Sequence, residues 1–200
     1  MSTSRLFPLA LALALAASGC GLFDTAQPEP PSNESGIPPS FSLPESTLVT
    51  LERAVEGRSA TNYALCLTDS LGLAEPGFYA TPDPADLAAW LQAGNPDPGI
   101  WTRERELTFF PQFLAYNPNA FYEVTFTQDP IRPDVPLDAN TEIWNRRYRV
   151  FAAGSPVVAG SASLTFARVG LSGEWKIKFW EDHRDTADVR TWGTARLNGR

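Results

Sequence analysis

The fold is decided by the stretch Trp175-Lys176-Ile177-Lys178-Phe179-Trp180, near the carboxyl end of the chain. Trp175, Ile177 and Phe179 alternate with the two lysines and Trp180. A period of two puts successive side chains on opposite faces of a β-strand. We therefore predict a strand here, with Trp180 on the face opposite Ile177 and Phe179.

Three further segments show the same alternation. They are Phe121 to Phe126, Trp144 to Val150 and Val158 to Arg168, and turn residues stand at Gly154-Ser155-Pro156 and Gly170 to Gly173. A proline-rich loop through Pro130, Pro133 and Pro136 separates the first two. Short connections favour antiparallel neighbours, so we expect a sheet of about four main strands.

Helical spacing dominates the part of the chain before these strands. We predict a first helix from Pro44 to Glu56, with Ser42 as a candidate N-cap, and a second helix from Ala60 to Leu67. A third predicted helix begins at Asp83, and its expected buried face consists of Leu87, Trp90 and Leu91. A fourth predicted helix runs from Trp101 to about Ala115, and its expected buried residues are Leu107, Phe110 and Leu114. Glu106 falls on the polar side of the last helix, and Pro111 is expected to kink or end it. Helices followed by strands indicate an α+β domain.

The order of these elements, with the motifs Trp175-x-Ile177-x-x-Trp180-x-Asp182 and Thr191-Trp192-Gly193, resembles the NTF2-like or cystatin-like cone fold (SnoaL type) of many small bacterial lipoproteins. The resemblance covers about residues 45 to 195. It implies a curved antiparallel sheet that wraps an N-terminal helix and leaves a conical pocket. Because the family includes isomerases, dehydratases, ligand carriers and domains without known chemistry, it does not determine the function.

The amino terminus has the pattern of an export signal. Arg5 precedes an apolar run from Leu6 to Ala17, and Ser18-Gly19-Cys20 follows. The run is too short for a transmembrane helix, which needs about 20 apolar residues. Cys20 after small residues resembles the lipobox of bacterial lipoproteins, which implies removal of residues 1–19 and attachment of acyl chains, palmitate among them, to Cys20. Gly21 after the cysteine favours the outer membrane, facing the periplasm.

Residues 20–43 form the lipidated cysteine and a proline-rich tether in this interpretation. Five prolines fall between Gly21 and Leu43, among polar residues that could bury little. The alternative is that the proline segment itself binds a partner. We expect a single domain over residues 44–195 and a short tail over 196–200.

Charge and cysteine content exclude several classes of function. The formal charge is −7, and loss of Arg5 with the signal makes it one unit more negative. This balance argues against nucleic acid as a partner. With Cys20 acylated, Cys66 is the only remaining thiol, so no intramolecular disulfide and no Cys-x-x-Cys metal site can form. Cys66 lies in an apolar segment and is expected to pack in the core.

Signs of catalysis are few. His183 is the single histidine, flanked by Asp182 and Asp185, and it is either a general base or a solvated strand end. Asp182, Asp185 and Asp188 could be considered as ligands of a cation, but this segment lacks the glycine and the bidentate glutamate of a calcium-binding loop. Motifs for serine hydrolysis, phosphate binding and zinc are missing. We therefore assign no catalytic residue, no metal ligand and no cofactor.

Aromatic residues and arginine supply the remaining candidates. Arg146, with Trp144 and Tyr148 on the same strand face, could enter the cone and hold an anionic ligand, or it could pair with the protein's own carboxylates. Trp180 and Trp192 could cover the outer sheet surface or contact another protein.

These observations predict a membrane-anchored envelope lipoprotein with a non-catalytic domain used for binding or assembly, and an envelope protein is a candidate partner. The alternative is a small-molecule-binding or proton-transfer enzyme of the isomerase or dehydratase type, with its site inside the cone. The enzyme requires ionisable groups that converge on an open cavity, whereas the binding domain can have a filled interior.

Overall fold

The alternating segments of the sequence form four neighbouring strands of one sheet. In the computed structural model, residues 38–69, 77–185 and 189–199 are described, and all belong to one compact unit. The signal sequence, Cys20, Asp188 and the tether up to residue 37 lie outside the described residues. The α+β architecture predicted from the sequence is confirmed.

The sheet of the described chain has seven strands, three more than predicted. They are β1 (Tyr79–Thr81), β2 (Trp101–Thr102), β3 (Tyr122–Gln128), β4 (Val135–Asp138), β5 (Thr141–Ala152), β6 (Ser155–Val169) and β7 (Glu174–His183). Their order is β2-β1-β7-β6-β5-β3, with β4 paired to the beginning of β5. All pairs are antiparallel except β1 with β7.

The four predicted strands are β3, β5, β6 and β7. The other three, β1, β2 and β4, have only three, two and four residues. Segments of this length show too little alternation to be recognised. Pro136 within β4 also lies in the segment predicted as a loop, and β4 is an edge strand, where a proline is tolerated.

A β-bulge in β7 changes which residues face the core. Ile177 pairs with Phe166, but Phe179 already pairs with Thr165, so Lys178 is the extra residue. A bulge of this kind reverses the alternation along the rest of the strand. Trp180 and Asp182 therefore face inward after the bulge, as Trp175 and Ile177 do before it.

Five helices flank the sheet in the described chain. They are α1 (Pro44–Glu56), α2 (Ala60–Leu65), α3 (Pro84–Gln92), α4 (Arg103–Tyr116) and α5 (Trp192–Asn198). The N-cap of α1 is Leu43, not Ser42, and the Leu43 N–H donates to Ser46 Oγ at 3.0 Å. No helix among the described residues has the length and apolar character needed to cross a membrane.

Two helices differ from the expected patterns. Helix α4 continues through Pro111, which lies on its exposed side, where solvent can bond the carbonyl that proline leaves free. In α3 the predicted apolar face is wrong: Leu91 is 43% exposed, Leu87 and Trp90 are half-buried, and Asp86 is the buried residue. Polar contacts to α5, described below, explain this orientation.

Helix α5 covers residues that the sequence analysis left without a helix. It begins after Thr191, whose hydroxyl accepts the Thr194 N–H at 3.0 Å, and it ends at Gly199, which has a φ of 68°. Arg196 in this helix is buried. The prediction of a tail from residue 196 is therefore wrong, because the domain extends through Asn198.

The core lies between α1, α2, α4, α5 and the inward face of the sheet. Aromatic rings make up much of it, including Tyr63, Phe110, Phe113 and Trp180. Cys66 is fully buried there, and burial raises the pKa of its thiol, so the prediction that it packs as a core residue is confirmed.

Candidate functional site

Three ionised side chains meet inside the core, and we refer to Glu106, Asp182 and Arg196 as the charged centre. Arg196 Nε lies 2.7 Å from Glu106 Oε2, and its Nη2 lies 3.1 Å from Glu106 Oε1. Its Nη1 donates to Asp182 Oδ2 at 3.1 Å. Both carboxylates are 0% exposed, so the guanidinium bridges two anions that have no contact with water.

Five aromatic donors complete the hydrogen bonding of the two carboxylates. Glu106 accepts from the hydroxyl of Tyr63 and from the indole N–H groups of Trp101 and Trp192, at 2.6 Å for Trp101 and 3.3 Å for Trp192. Asp182 Oδ1 accepts from Tyr148 Oη at 2.6 Å and from Trp180 Nε1 at 3.1 Å. Buried ions are tolerated when they are paired and fully hydrogen-bonded, as they are here.

Each member of the charged centre is placed by a local feature of its element. Glu106 lies three and four residues before Phe109 and Phe110, and these spacings put all three on one helix face. The bulge in β7 turns Asp182 inward. Helix α5 brings Arg196 over the ring of Trp180, with 4.8 Å between the guanidinium carbon and the ring centroid.

The charged centre contains one positive and two negative groups. Burial raises the pKa of Asp182 to about 6, although Arg196 and the donors from Tyr148 and Trp180 oppose this shift. Burial also acts against ionisation of Glu106, but Arg196 and the hydrogen bonds from Tyr63 and Trp101 hold its pKa below the usual value. Asp182 is therefore the carboxylate that takes up a proton first.

A third carboxylate fixes the start of α5. Asp86 Oδ2 accepts from Thr191 Oγ1 at 2.7 Å and from Thr194 Oγ1 at 2.6 Å, and Asp86 also pairs with Arg184. These partners explain why α3 turns Asp86 toward the core. The backbone N–H of Trp192 donates to Tyr148 Oη at 2.8 Å, so the start of α5 is held by two buried polar groups, and Arg196 holds its second half through Glu106 and Asp182.

The indole of Trp192 fills the space beside the charged centre. Its ring stacks on Trp180 with 5.8 Å between centroids, and it contacts Phe113 at 5.0 Å and Phe109 at 6.1 Å. Gly193 permits this approach, because a Cβ there would lie 2.7 Å from Pro82 Cα. Within the described part of the chain, this packing leaves Glu106 and Asp182 with 0% exposure, so a substrate has no contact with either carboxylate.

The prediction that Trp180 and Trp192 form an exposed partner surface is wrong. They are 1% and 2% exposed. The bulge at Lys178 turns Trp180 from the outer face to the core, and α5 carries Trp192 inward to stack on it.

Arg146 is paired within the chain. Its two terminal nitrogens donate to Asp134 Oδ1 at 2.7 Å and Oδ2 at 2.9 Å, and its guanidinium lies 4.2 Å from the ring centroid of Trp144. Tyr148 is buried on Asp182, and Trp144 donates to Glu142 Oε2 at 2.9 Å. Of the two interpretations of Arg146, the structure shows the pairing with the protein's own carboxylate.

His183 ends β7 on the face opposite Asp182. It is half-buried, its Nε2 lies 3.1 Å from Ser163 Oγ, and burial lowers its pKa. Asp185 accepts from Ser161 Oγ at 2.7 Å. The histidine and the charged centre thus lie on different faces of the sheet. Across the described ranges, no three His, Cys, Asp or Glu side chains are grouped so that they could hold a metal ion.

An open cavity of about 610 Å³ lies along the edge of the sheet that β1 and β2 form, opposite the edge formed by β3. We call it the edge groove. Residues 77–81, 99–100 and 102–104 line it together with Lys178 of β7. None of Glu106, Asp182 and Arg196 lines this groove.

Sequence reasoning missed both the charged centre and the edge groove. The spacing of Glu106 relative to Phe109 and Phe110 was a usable signal for its burial. The burial of Arg196 gave no such signal, because the seven residues of α5 are too few to show a periodic pattern. The groove gave none either, because its lining comes from three separate segments of the chain.

Comparison with known proteins supports the fold and nothing finer. No protein-family model matches the chain, and no curated protein matches it in sequence. A Thiobacillus denitrificans domain, described as a candidate calcium/calmodulin-dependent protein kinase type II association domain, matches with TM-score 0.50 and 12% identity over 74% of this chain and 100% of its own. A Mycobacterium tuberculosis protein of unknown function matches with TM-score 0.50 and 12% identity over 78% and 82%.

A third solved structure, a Nostoc punctiforme protein described as having a cystatin-like fold, matches with TM-score 0.48 and 9% identity over 72% of this chain and 89% of its own. Identities this low carry no information on activity. The chain is therefore an α+β protein whose fold is similar to those of the Thiobacillus and Mycobacterium structures.

Proposed function

We propose that this protein is a lipid-anchored protein of the bacterial cell envelope whose NTF2-like domain acts by binding at the edge groove. The pattern of residues 5–20 supports acylation of Cys20, and the proline-rich tether would let the domain stand away from the bilayer. Because the chain is acidic, anionic headgroups would repel it, and we therefore assign membrane attachment to the covalent lipid.

One observation carries the binding role: the carboxylates of the interior are occupied by the protein's own Arg196, whereas the open cavity lies outside the core. A general base must come within hydrogen-bonding reach of a substrate proton. Glu106 and Asp182 are enclosed by α5 and the aromatic rings around it, so they act as a structural anchor for the C-terminal helix.

The enzymatic alternative retains one supporting observation, because two carboxylates converge inside the domain and burial raises the pKa of Asp182 to about 6. A carboxyl with such a pKa is suited to proton transfer. It would have to become accessible, which requires that α5 leave its place. A variant without Arg196 that gained or kept turnover of a carbonyl substrate would favour this alternative.

The test of the binding role is photo-crosslinking in the native envelope. The full-length lipoprotein would carry benzoylphenylalanine in place of Ile100, which lines the edge groove and is 73% exposed. The control would carry it at Leu171, which is fully exposed in the turn between β6 and β7. Adducts specific to position 100 are expected. Adducts of equal amount and identity at both positions, or none at either, would contradict the proposal.

A further inference from the structure

The edge groove has the size and lining of a small-molecule site. Its volume of about 610 Å³ falls within the range of roughly 300–1,000 Å³ that is typical of ligand pockets. Ile100 contributes exposed apolar surface, and the half-buried ring of Tyr79 stacks on Phe179 with centroids 4.5 Å apart, whereas Phe78 and Ala80 are buried beneath the groove. Such a lining suits the apolar body of a ligand.

Ile100 marks the rim of the groove as a place where apolar surface is left in water. It is 73% exposed, although it stands directly before buried Trp101. A ligand whose apolar part covered Ile100 would remove this surface from water, which is favourable.

The charged groups of the groove favour an anion. Arg103 and Lys178 contribute two positive charges, in a protein whose formal charge is −7. Arg103 Nη2 donates to the Ala64 carbonyl at 3.0 Å, which holds the side chain in place. Among the described lining residues the one carboxylate is Glu104, whose pKa is lowered by a hydrogen bond from the Thr102 side chain, and it is exposed to solvent. Two cations and one carboxylate give this described part of the lining a net positive charge.

We propose that the edge groove binds a small soluble amphipathic anion, with an aromatic or short acyl body against Tyr79 and Ile100 and a carboxylate or phosphate head toward Arg103 and Lys178. This inference rests on the proposed binding function and names the class of ligand. It places the ligand at the sheet edge, outside the interior of the domain.

The test compares three probes with the same apolar body and different heads. The full-length lipoprotein in phosphatidylcholine nanodiscs is titrated calorimetrically with 4-phenylbutyrate, 4-phenylbutan-1-ol and 4-phenylbutylamine, and empty nanodiscs provide the blank. We expect the carboxylate to bind at least about tenfold more tightly than the amine, with the alcohol between them, because a charge-assisted hydrogen bond is stronger than a neutral one. Equal or tighter binding of the amine would overturn the proposal.

Matched variants locate the binding. Lys178→Gln should weaken 4-phenylbutyrate binding about tenfold, whereas Lys176→Gln on the same strand, outside the groove, should leave it unchanged. Ile100→Asp should weaken binding at least as much, because it puts a negative charge on the apolar rim. Binding that survives Ile100→Asp lies elsewhere and would refute the assignment.

Two other occupants are outcomes of the same experiment. Binding that requires phosphatidylglycerol in the nanodisc would identify a membrane lipid instead of a soluble molecule and would overturn the proposal. If 4-phenylbutyrate binds only to a Leu71→Ser, Leu73→Ser double variant, the occupant of the groove in the native chain is its own segment 70–76. This result would also overturn the proposal.

The failure of this inference can be told apart from failure of the proposed function. If crosslinking at position 100 succeeds and 4-phenylbutyrate does not bind, the groove is a binding site for another class of ligand. If neither experiment gives a signal, the binding function itself is contradicted.

Discussion

Arg196 carries the positive charge between the buried carboxylates of Glu106 and Asp182. Removing the guanidinium leaves two anions enclosed without a counter-charge, and breaking a buried ion pair in this way typically costs about 3–5 kcal/mol. We therefore expect Arg196→Met to lower the free energy of unfolding by about that amount, measured by urea denaturation at pH 7.5. The neighbouring exposed-face change Asn198→Ala is the control. A loss below about 1 kcal/mol would show that the charged centre does not anchor α5.

The charged centre should also give the protein an unusual dependence of stability on pH. The pKa of Asp182 is about 6 in the folded protein against an ordinary 3.8, so between these values the folded state holds a proton that the unfolded state has released. The contribution of Asp182 to stability should then fall as the pH rises from about 4 to 6 and level off above it, whereas the lowered pKa of His183 makes an opposite contribution below pH 6.5. Glu106 works in the opposite direction, but its lowered pKa confines its effect to more acidic solutions.

The measurement for this prediction is the urea midpoint as a function of pH for the native chain and for Asp182→Asn. The amide keeps an acceptor oxygen for Tyr148 and Trp180 but does not titrate in this range. Between about pH 4 and pH 6 the slope of stability against pH should be more positive in the variant than in the native chain, whatever the absolute stability of the variant. An unchanged slope would mean that another group is responsible.

At the level of single residues, sequence and structure agree where an apolar residue follows the period of its element. Tyr122 and Val124 of β3 and Ala162 and Leu164 of β6 are buried as their alternation predicts. The failures are polar or amphipathic residues, such as Glu106 and Trp180. Their burial depends on partners from distant parts of the chain, such as Arg196, which no local pattern encodes.

At the level of elements, the number of residues in a strand or helix determined whether it could be predicted from the sequence. The long strands β5, β6 and β7, with 12, 15 and 10 residues, were found in the sequence because each shows several repeats of the alternation. Strands β2 and β4 and the seven-residue helix α5 were missed, and for β1 the sequence left open whether the segment is irregular or holds a short strand around Phe78-Tyr79. Their stability comes from tertiary contacts, above all those of α5 with Asp86, Tyr148 and the charged centre.

Helix α5 depends on a glycine at its second position. Replacing Gly193 by alanine would put a Cβ 2.7 Å from Pro82 Cα, which is backbone and cannot move aside at low cost. Although alanine favours a helix by up to about 1 kcal/mol, overpacking of this kind costs about 1–3 kcal/mol. We expect a net loss of stability and loss of Trp180–Trp192 stacking, read from near-ultraviolet circular dichroism. A stabilised variant with an unchanged spectrum would refute the docking of α5.

At the scale of the whole molecule, the sequence was sufficient for the α+β class and for the main part of the sheet. It could not reveal the edge groove, because β1, β2 and Lys178 come together only through the parallel pairing of β1 with β7. It also could not show that the interior is filled, since that follows from the position of the C-terminal helix.

The proposed anchor gives a prediction for the full chain in its host. Cys20→Ser should abolish incorporation of labelled palmitate, because the thiol that carries the lipid is gone. Cys66→Ala is the matched control, since Cys66 is buried in the folded domain, and it should incorporate label as the native chain does. Labelling that persists in Cys20→Ser would place the acyl group elsewhere.

We propose that α5 keeps the interior closed, so that this protein acts through its outer edge and not through Glu106 and Asp182. Hydrogen exchange of the full-length protein in nanodiscs tests it directly at the backbone N–H of Trp192, which donates to Tyr148 Oη in the core. We predict exchange as slow as that of the central strands β5 and β6. Exchange at this amide many times faster than in those strands would show that α5 opens independently and would contradict the account.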